Sequence, residues 1–397
     1  MAIGGNRKKS NPWGDRPPLG SDILEQLRQE RSPATEGARA IGAPPGTPES
    51  AISGDAASPA ISRRRMFWGA FAAVTAGLAG WFGSRQLNAE KPVPVVLPAA
   101  TLPERRLDLG RMRSHVVLLA QPDWQGRLAG GRGALQAGEY VAQLWEKWGI
   151  EPRGEGGTYF QTFPVPSFSL SNVNGRMRLL PRTGDGGTAD NLIGFIPGRD
   201  PRLRNKVVAL SAHYDHLGAW DGALYPGAND NASGVAVLLE IACAAVQTPP
   251  RCSLAFFLFS GEEGGLLGSK HYAEHPTIPL EDMIGLINLD TVGNGDERDF
   301  ICWMPDQYPW LSCLDEAGKA AGVRLYPQDH GGHNSDHQPF VDKGVAAITV
   351  LSATWLEGNH TPQDGLSLIR PEKLARIAEW SWRAIYTLAE TAGKRGG

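Results

Sequence analysis

Leu254-Ala-Phe-Phe-Leu-Phe259 runs directly into Ser260-Gly-Glu-Glu-Gly-Gly265. Six consecutive apolar residues without polar alternation read as a strand buried on both faces, as in parallel sheets covered by helices. The chain then turns to small residues and two adjacent carboxylates, Glu262 and Glu263. Neighbouring side chains of an extended segment point to opposite sides. A Glu-Glu pair at a strand exit can therefore set one carboxylate on a metal while the other faces a substrate, the division that metal-assisted hydrolysis requires. An isolated pair is equally an acidic turn, so its company in the chain decides.

Three further runs have the same all-apolar character: KVVALS at 206–211, MIGLINL at 283–289 and VAAITVL at 345–351. Between and after them, 233–246, 266–274, 310–321 and 371–392 carry helical spacing. Alternating short apolar strands and helices predict an α/β domain with a largely parallel sheet covered on both faces. Ligands of such sheets gather beyond the carboxyl ends of the strands.

Those ends are where the chemistry lies. The first strand leads into Ala212-His-Tyr-Asp-His216, the second into Glu262-Glu263, the third into Asp290, and the fourth into a loop carrying Asn359-His-Thr-Pro362. Asp230 sits in Pro226-Gly-Ala-Asn-Asp-Asn-Ala-Ser-Gly234, just ahead of a helix. The donor set of His213, His360 and carboxylates has nitrogen and oxygen but no thiolate. It suits catalytic zinc, and also admits cobalt or manganese. Two nearby ions need a shared ligand, and Asp230, in a tight Gly/Asn loop, is placed to bridge. Asp215, two residues from His213, is close enough to orient its imidazole.

The strings AHYDHLG, PGANDNASGVAVLLEIA, FSGEEGGLLGS, NLDTVG, SDHQPF and NHTPQD occur in the order seen in the co-catalytic di-zinc aminopeptidases, metallopeptidase family 28, of bacterial leucyl aminopeptidase type. Upstream, QGRLAGGRGALQAGEYVAQLWEKWGIEP and TYFQTFPV resemble that family's N-terminal helix region. The resemblance covers about residues 107 to 390. It implies the zinc-exopeptidase fold, three layers with a twisted, mostly parallel central sheet between helices. By the same resemblance two zinc ions are expected. His213 and Asp290 would hold one, Glu263 and His360 the other, with Asp230 between them. Glu262 would be the general base, Asp215 would orient His213, and the substrates would be peptides with a free terminus. Two departures stand out. Asn359 occupies the position where some relatives carry a tyrosine before the last histidine ligand. Gly331-Gly-His-Asn334 replaces another tyrosine-bearing segment. His333 becomes the candidate oxyanion donor, and Asp336, with Ser335 and His337, either lines the pocket or braces the loop.

The remaining chain bounds the alternatives. A net charge of −3 over 397 residues, with no basic stripe, argues against a nucleic-acid partner. Residues 1–61, rich in Pro, Gly, Ala and Ser, are expected to be disordered. Residues 62–85 place Arg64-Arg65-Met66-Phe67 before an Ala/Gly-rich apolar run at 66–83, a twin-arginine-like export signal or a single inner-membrane anchor. By the positive-inside rule, the chain beyond that run is expected to be extracytoplasmic, periplasmic or secreted. Residues 86–103 are a Pro-rich linker, and 104–397 form the catalytic domain. Cys302 with Cys313, or Cys243 with Cys252, are the disulfides an exported chain would allow. Rival readings are a carboxypeptidase of the same family, a single-zinc glutaminyl-cyclase-like enzyme, and a non-catalytic ectodomain.

Overall fold

The computed structural model describes residues 107–305, 308–328 and 333–391. The expected disordered segment at 1–61, the export or anchor segment at 62–85 and the linker at 86–103 lie outside them. In chain order the helices among the described residues are α1 (Leu109–Leu119), α2 (Arg132–Trp148), α3 (Gly234–Ala245), α4 (Leu267–Glu274), α5 (Leu311–Ala321), α6 (Gln338–Asp342) and α7 (Pro371–Thr391). The strands are β1 (Glu151–Pro152), β2 (Phe160–Val173), β3 (Arg176–Ile196), β4 (Val207–His213), β5 (Gly218–Trp220), β6 (Ala223–Tyr225), β7 (Ser253–Phe259), β8 (Met283–Leu289), β9 (Asp299–Trp303), β10 (Arg324–Gln328) and β11 (Ala347–Ser352).

The main sheet runs β1-β3-β7-β4-β8-β11-β9-β10, with β2 paired to β3. Its centre is parallel: β7, β4, β8 and β11 are neighbours pointing the same way. These are the four apolar runs of the sequence, and every residue of β4, β7 and β11 is buried. Outside it the pairings are antiparallel except for β9 and β10, which run parallel to each other, so the sheet is mixed around a parallel core. The reason is connection length. Asn174-Gly175, both in the left-handed region, joins β2 to β3 in a two-residue turn, which permits only antiparallel pairing.

Helices cover both faces. On one, α2, α3 and α7 lie against the sheet, with α1 packed on α3 and α7 and α5 packed on α7. On the other, Tyr272 of α4 and Phe340 of α6 close over Phe257 and Phe259. The three-layer expectation is met. Helix α3 begins where Asn231 Oδ1 accepts the Gly234 N–H at 3.0 Å. A Cβ at Gly234 would lie 2.4 Å from that oxygen, so the cap demands glycine. Glu240 on α3 is fully buried and paired with Arg111 at 2.6 Å, while also accepting the Asp108 N–H, which ties α1 to α3. The four cysteines are free thiols, so neither disulfide forms. No helix among the described residues is long and apolar enough to cross a membrane.

Candidate metal centre

Because β7, β4, β8 and β11 are parallel neighbours, their carboxyl ends share one edge. There the structure brings together His213, Asp215, Asp230, Glu262, Glu263, Asp290 and His360. His213 Nε2 is 3.3 Å from Asp230 Oδ1 and 3.4 Å from Asp290 Oδ1. His360 Nε2 is 3.3 Å from Asp230 Oδ2 and 3.0 Å from Glu263 Oε2. The two oxygens of Asp230 thus face different histidines. Two ligands of one tetrahedral ion, each bound at the usual zinc distance, sit about 3.3 Å apart. These spacings fit donors that share a cation, and Asp230 belongs to both sets. Nitrogen and carboxylate oxygen without thiolate is zinc chemistry.

His216 is not singled out by the sequence. It groups geometrically with Asp230 and Glu263, as His213 does with Asp230 and Asp290. Its Nδ1 is 2.8 Å from Glu263 Oε1 but 3.9 Å from Asp230 Oδ2. The first is a hydrogen-bond distance and the second is too long for a common ion. His216 therefore orients Glu263, while His360 has the better spacing for a ligand. Asp215 lies 3.7 Å from His213 Nδ1, and its Oδ1 also accepts the Glu262 backbone N–H at 3.2 Å.

A second layer of buried polar groups fixes these donors. Ser335 donates to Asp290 Oδ2 at 2.8 Å and accepts from Asn288, which in turn receives the Ser211 hydroxyl. This chain crosses the sheet through β4, β8 and the loop before α6, so Ser335 braces. Asp364 accepts the backbone N–H groups of Asn229 and Asp230 at 2.7 and 2.9 Å. Asn229 Oδ1 and Asn231 Oδ1 take the N–H groups of Gly293 and Thr291, stitching the Asp230 loop to the end of β8. Gly227, at φ +60°, admits His216 at its side; a Cβ there would sit 2.6 Å from the imidazole. His360 itself takes a left-handed backbone at φ +58°, a strained conformation typical of functional residues.

The adjacent glutamates titrate in opposite directions. Burial pushes Glu262 well above the usual carboxylate range, and the charges of Glu263, Asp290 and Asp336 add to it against His213. Burial would raise Glu263 too, but the field of His360 and hydrogen bonds from His216 and His360 pull it down to about 2. Two carboxyls driven apart in this way mark an acid–base partner beside a permanently ionised ligand. Asp336, expected near substrate, is fully buried and accepts the Ser269 hydroxyl at 2.5 Å; burial raises it to about 7. It faces inward. His333 is half-buried between Trp303 and Trp355, with ring centroids 6.2 and 5.0 Å away.

Residues 191–385 match peptidase family M28. The chain carries an M28 peptidase domain. It is 31% identical over 215 residues to aminopeptidase YwaD of Bacillus subtilis, covering 50% of this chain and 44% of that protein. It is 30% identical over 293 residues to leupeptin-inactivating enzyme 1 of Streptomyces exfoliatus, covering 72% and 57%. The chain thus spans about half the length of these relatives. In fold it superposes on a zinc aminopeptidase from Bacillus subtilis, TM-score 0.60, at 19% identity over 74% of this chain and 98% of that one. The M28 domain accounts for both the parallel core and the donor cluster at its edge.

Proposed function

We propose that the domain is a di-zinc exopeptidase that removes N-terminal residues from peptides. The observation that carries this reading is Asp230, whose two oxygens face separate histidine–carboxylate sets with Glu262 alongside. His213, Asp230 and Asp290 would hold one ion and His360, Glu263 and Asp230 the other. When bound, such ions acidify water and polarise a carbonyl. The chain's own groups do the rest. Glu262, which stands beside the two donor sets, takes the attacking water's proton and returns it to the leaving amine. Asp215 keeps the His213 imidazole in place, and His216 does the same for the Glu263 carboxylate. The similarity of the sequence to YwaD, an aminopeptidase, supports the choice of the amino end over the carboxyl end.

Two measurements test this. Purified protein should contain about two zinc ions per chain, and aminoacyl-fluorogenic substrates should be cleaved while N-acetylated counterparts are not. Equal cleavage of blocked peptides would refute the aminopeptidase, and a single ion would favour the cyclase-like alternative. We further propose that the domain works outside the cytoplasm, delivered to or tethered at the inner membrane through residues 66–83, on the strength of the Arg64-Arg65 cluster ahead of that run. Recovery of the active protein in the cytosolic fraction of producing cells would refute it.

A further inference from the structure

The β2–β3 hairpin ends at the active-site edge. Its inner face packs through Phe168, Leu170 and Met177 onto Leu217, Trp220 and Tyr225, so the arm is anchored beside the β5–β6 ribbon. The two residues after its turn reach the metal donors. Met177 O accepts the His360 Nδ1 proton at 2.6 Å. Arg176 donates through Nη2 to Asn359 Oδ1, and Asn359 Nδ2 donates to Asp230 Oδ2 at 2.5 Å. One side-chain amide therefore separates the guanidinium from the shared carboxylate. The Arg176 guanidinium carbon lies 4.9 Å over the Trp355 ring, which fixes its plane. Its Nε is buried and has no hydrogen-bond partner, and no carboxylate among the described residues pairs with the guanidinium.

A buried guanidinium N–H without an acceptor is costly, and arginine's planar fork matches a carboxylate. Resting on the exopeptidase reading above, we propose that Arg176 binds the C-terminal carboxylate of the substrate, and that the enzyme is selective for dipeptides. The distances agree. A residue spans about 3.8 Å, so a dipeptide carries its carboxylate one residue length beyond the bond being cut. The guanidinium stands about one amide beyond the metal-bridging group. A long peptide would place neutral backbone there instead, leaving Arg176 uncompensated.

The test compares leucyl-alanine, leucyl-alanine amide and leucyl-aspartate α-amide, whose side-chain carboxylate is free, in the zinc-loaded full-length protein. Wild type should prefer the free dipeptide over its amide by at least tenfold in kcat/KM, the worth of one charge-assisted hydrogen bond. Arg176→Gln should bring that ratio close to one, and Arg176→Lys should retain part of it. Binding of the same compounds to the Glu262→Gln protein, followed by tryptophan fluorescence, should give the same ranking without turnover. Equal wild-type rates on acid and amide would overturn the proposal, as would an Arg176→Gln loss shared equally by both. A preference for leucyl-aspartate α-amide over the alanine amide that matches the free-acid preference would also overturn it, assigning the arginine to an acidic side chain. Leucine p-nitroanilide, which has no carboxylate, keeps the two readings separate. Its hydrolysis upholds the exopeptidase even where Arg176 proves silent.

Discussion

Replacing Arg127 should loosen the metal centre without touching any ligand. Its guanidinium is fully buried and is spent entirely on backbone carbonyls: Nε donates to Tyr214, Nη1 to Leu119 and Pro226, and Nη2 to Gly227. Its own carbonyl accepts the His216 N–H at 3.1 Å. One side chain thus ties the β4 exit, which carries His213 and His216, to the loop that presents Asp230. Burial lowers the guanidinium's pKa to about 10, still far above neutrality, so the donors are all present. Arg127→Met would orphan four buried acceptors at roughly 1–3 kcal/mol each. That sum rivals the ~5–15 kcal/mol that holds a domain together, so this variant is expected not to fold. Arg127→Lys offers three donors on one nitrogen and can serve about half of the carbonyls. It should fold with a loss of roughly 2–4 kcal/mol in urea melts. It should also bind zinc at least tenfold more weakly in a chelator competition, since the two loops are no longer held in register. Arg153→Met, which breaks an exposed pair with Glu151 and a cation–π contact with the Phe195 ring, should stay within about 1–2 kcal/mol of wild type. An Arg127→Lys protein as stable and as zinc-avid as wild type would refute the reasoning.

The other expectations are narrower. Glu262→Gln should keep both zinc ions and lose about 10²–10⁴-fold in kcat, whereas Glu263→Gln should lose metal; full turnover by the first would remove Glu262 from the mechanism. Ser335→Ala strips a hydroxyl from Asp290 and should weaken zinc by about tenfold in equilibrium dialysis while leaving the fold intact. His115, buried against Tyr140, has its pKa lowered by burial from 6.5 to about 3. Its neutral-ring contribution is complete above pH 6.5 and is lost as pH falls toward 3. Urea stability of wild type should therefore fall more steeply across that window than that of His115→Gln, by up to about 5 kcal/mol. Removing zinc with a chelator should lower the melting temperature, and added zinc should restore it in proportion, as for any ligand bound only by the folded state.

Legibility differs between the sheet's centre and its flanks for a physical reason. The runs that form β4, β7, β8 and β11 are buried on both faces, so their sequence is apolar apart from a few residues, such as Ser211, Asn288 and Thr349, that hydrogen-bond within the sheet. Their ends therefore stand out, and with them Glu262, Glu263, His213 and Asp290. The β2–β3 arm is exposed over much of its length and rich in Pro, Gly, Ser and Arg, so it lacks a readable period; its turn, Asn174-Gly175, is the one strong local signal. Arg176 follows that turn without a signal of its own, because its meaning depends on Asn359 and Trp355, both more than a hundred residues away. His216 is illegible for a different reason. It lies in the same strand exit as His213, but nothing in His-Tyr-Asp-His tells a ligand from the group that holds a ligand. Only the 2.8 Å contact with Glu263 separates them.

The supporting layer explains why so many carboxylates can share one buried edge. Asp215, Asp230, Glu262, Glu263, Asp290, Asp336 and Asp364 are gathered there, and a charge taken out of water is tolerated only when paired or hydrogen-bonded. All but one receive a donor from elsewhere in the fold: Ser335 for Asp290, Ser269 for Asp336, Asn359 for Asp230, and backbone N–H groups for Asp215 and Asp364. Glu263 has His216 and His360. Glu262, half-buried, is the exception: no hydrogen bond from the described residues reaches its carboxyl, and its partial desolvation raises its pKa above the usual carboxylate range. A fold that supplies a donor to every acid but one has left that one free to exchange a proton. The residue so exposed to its own desolvation is the one whose strand exit first pointed to the chemistry.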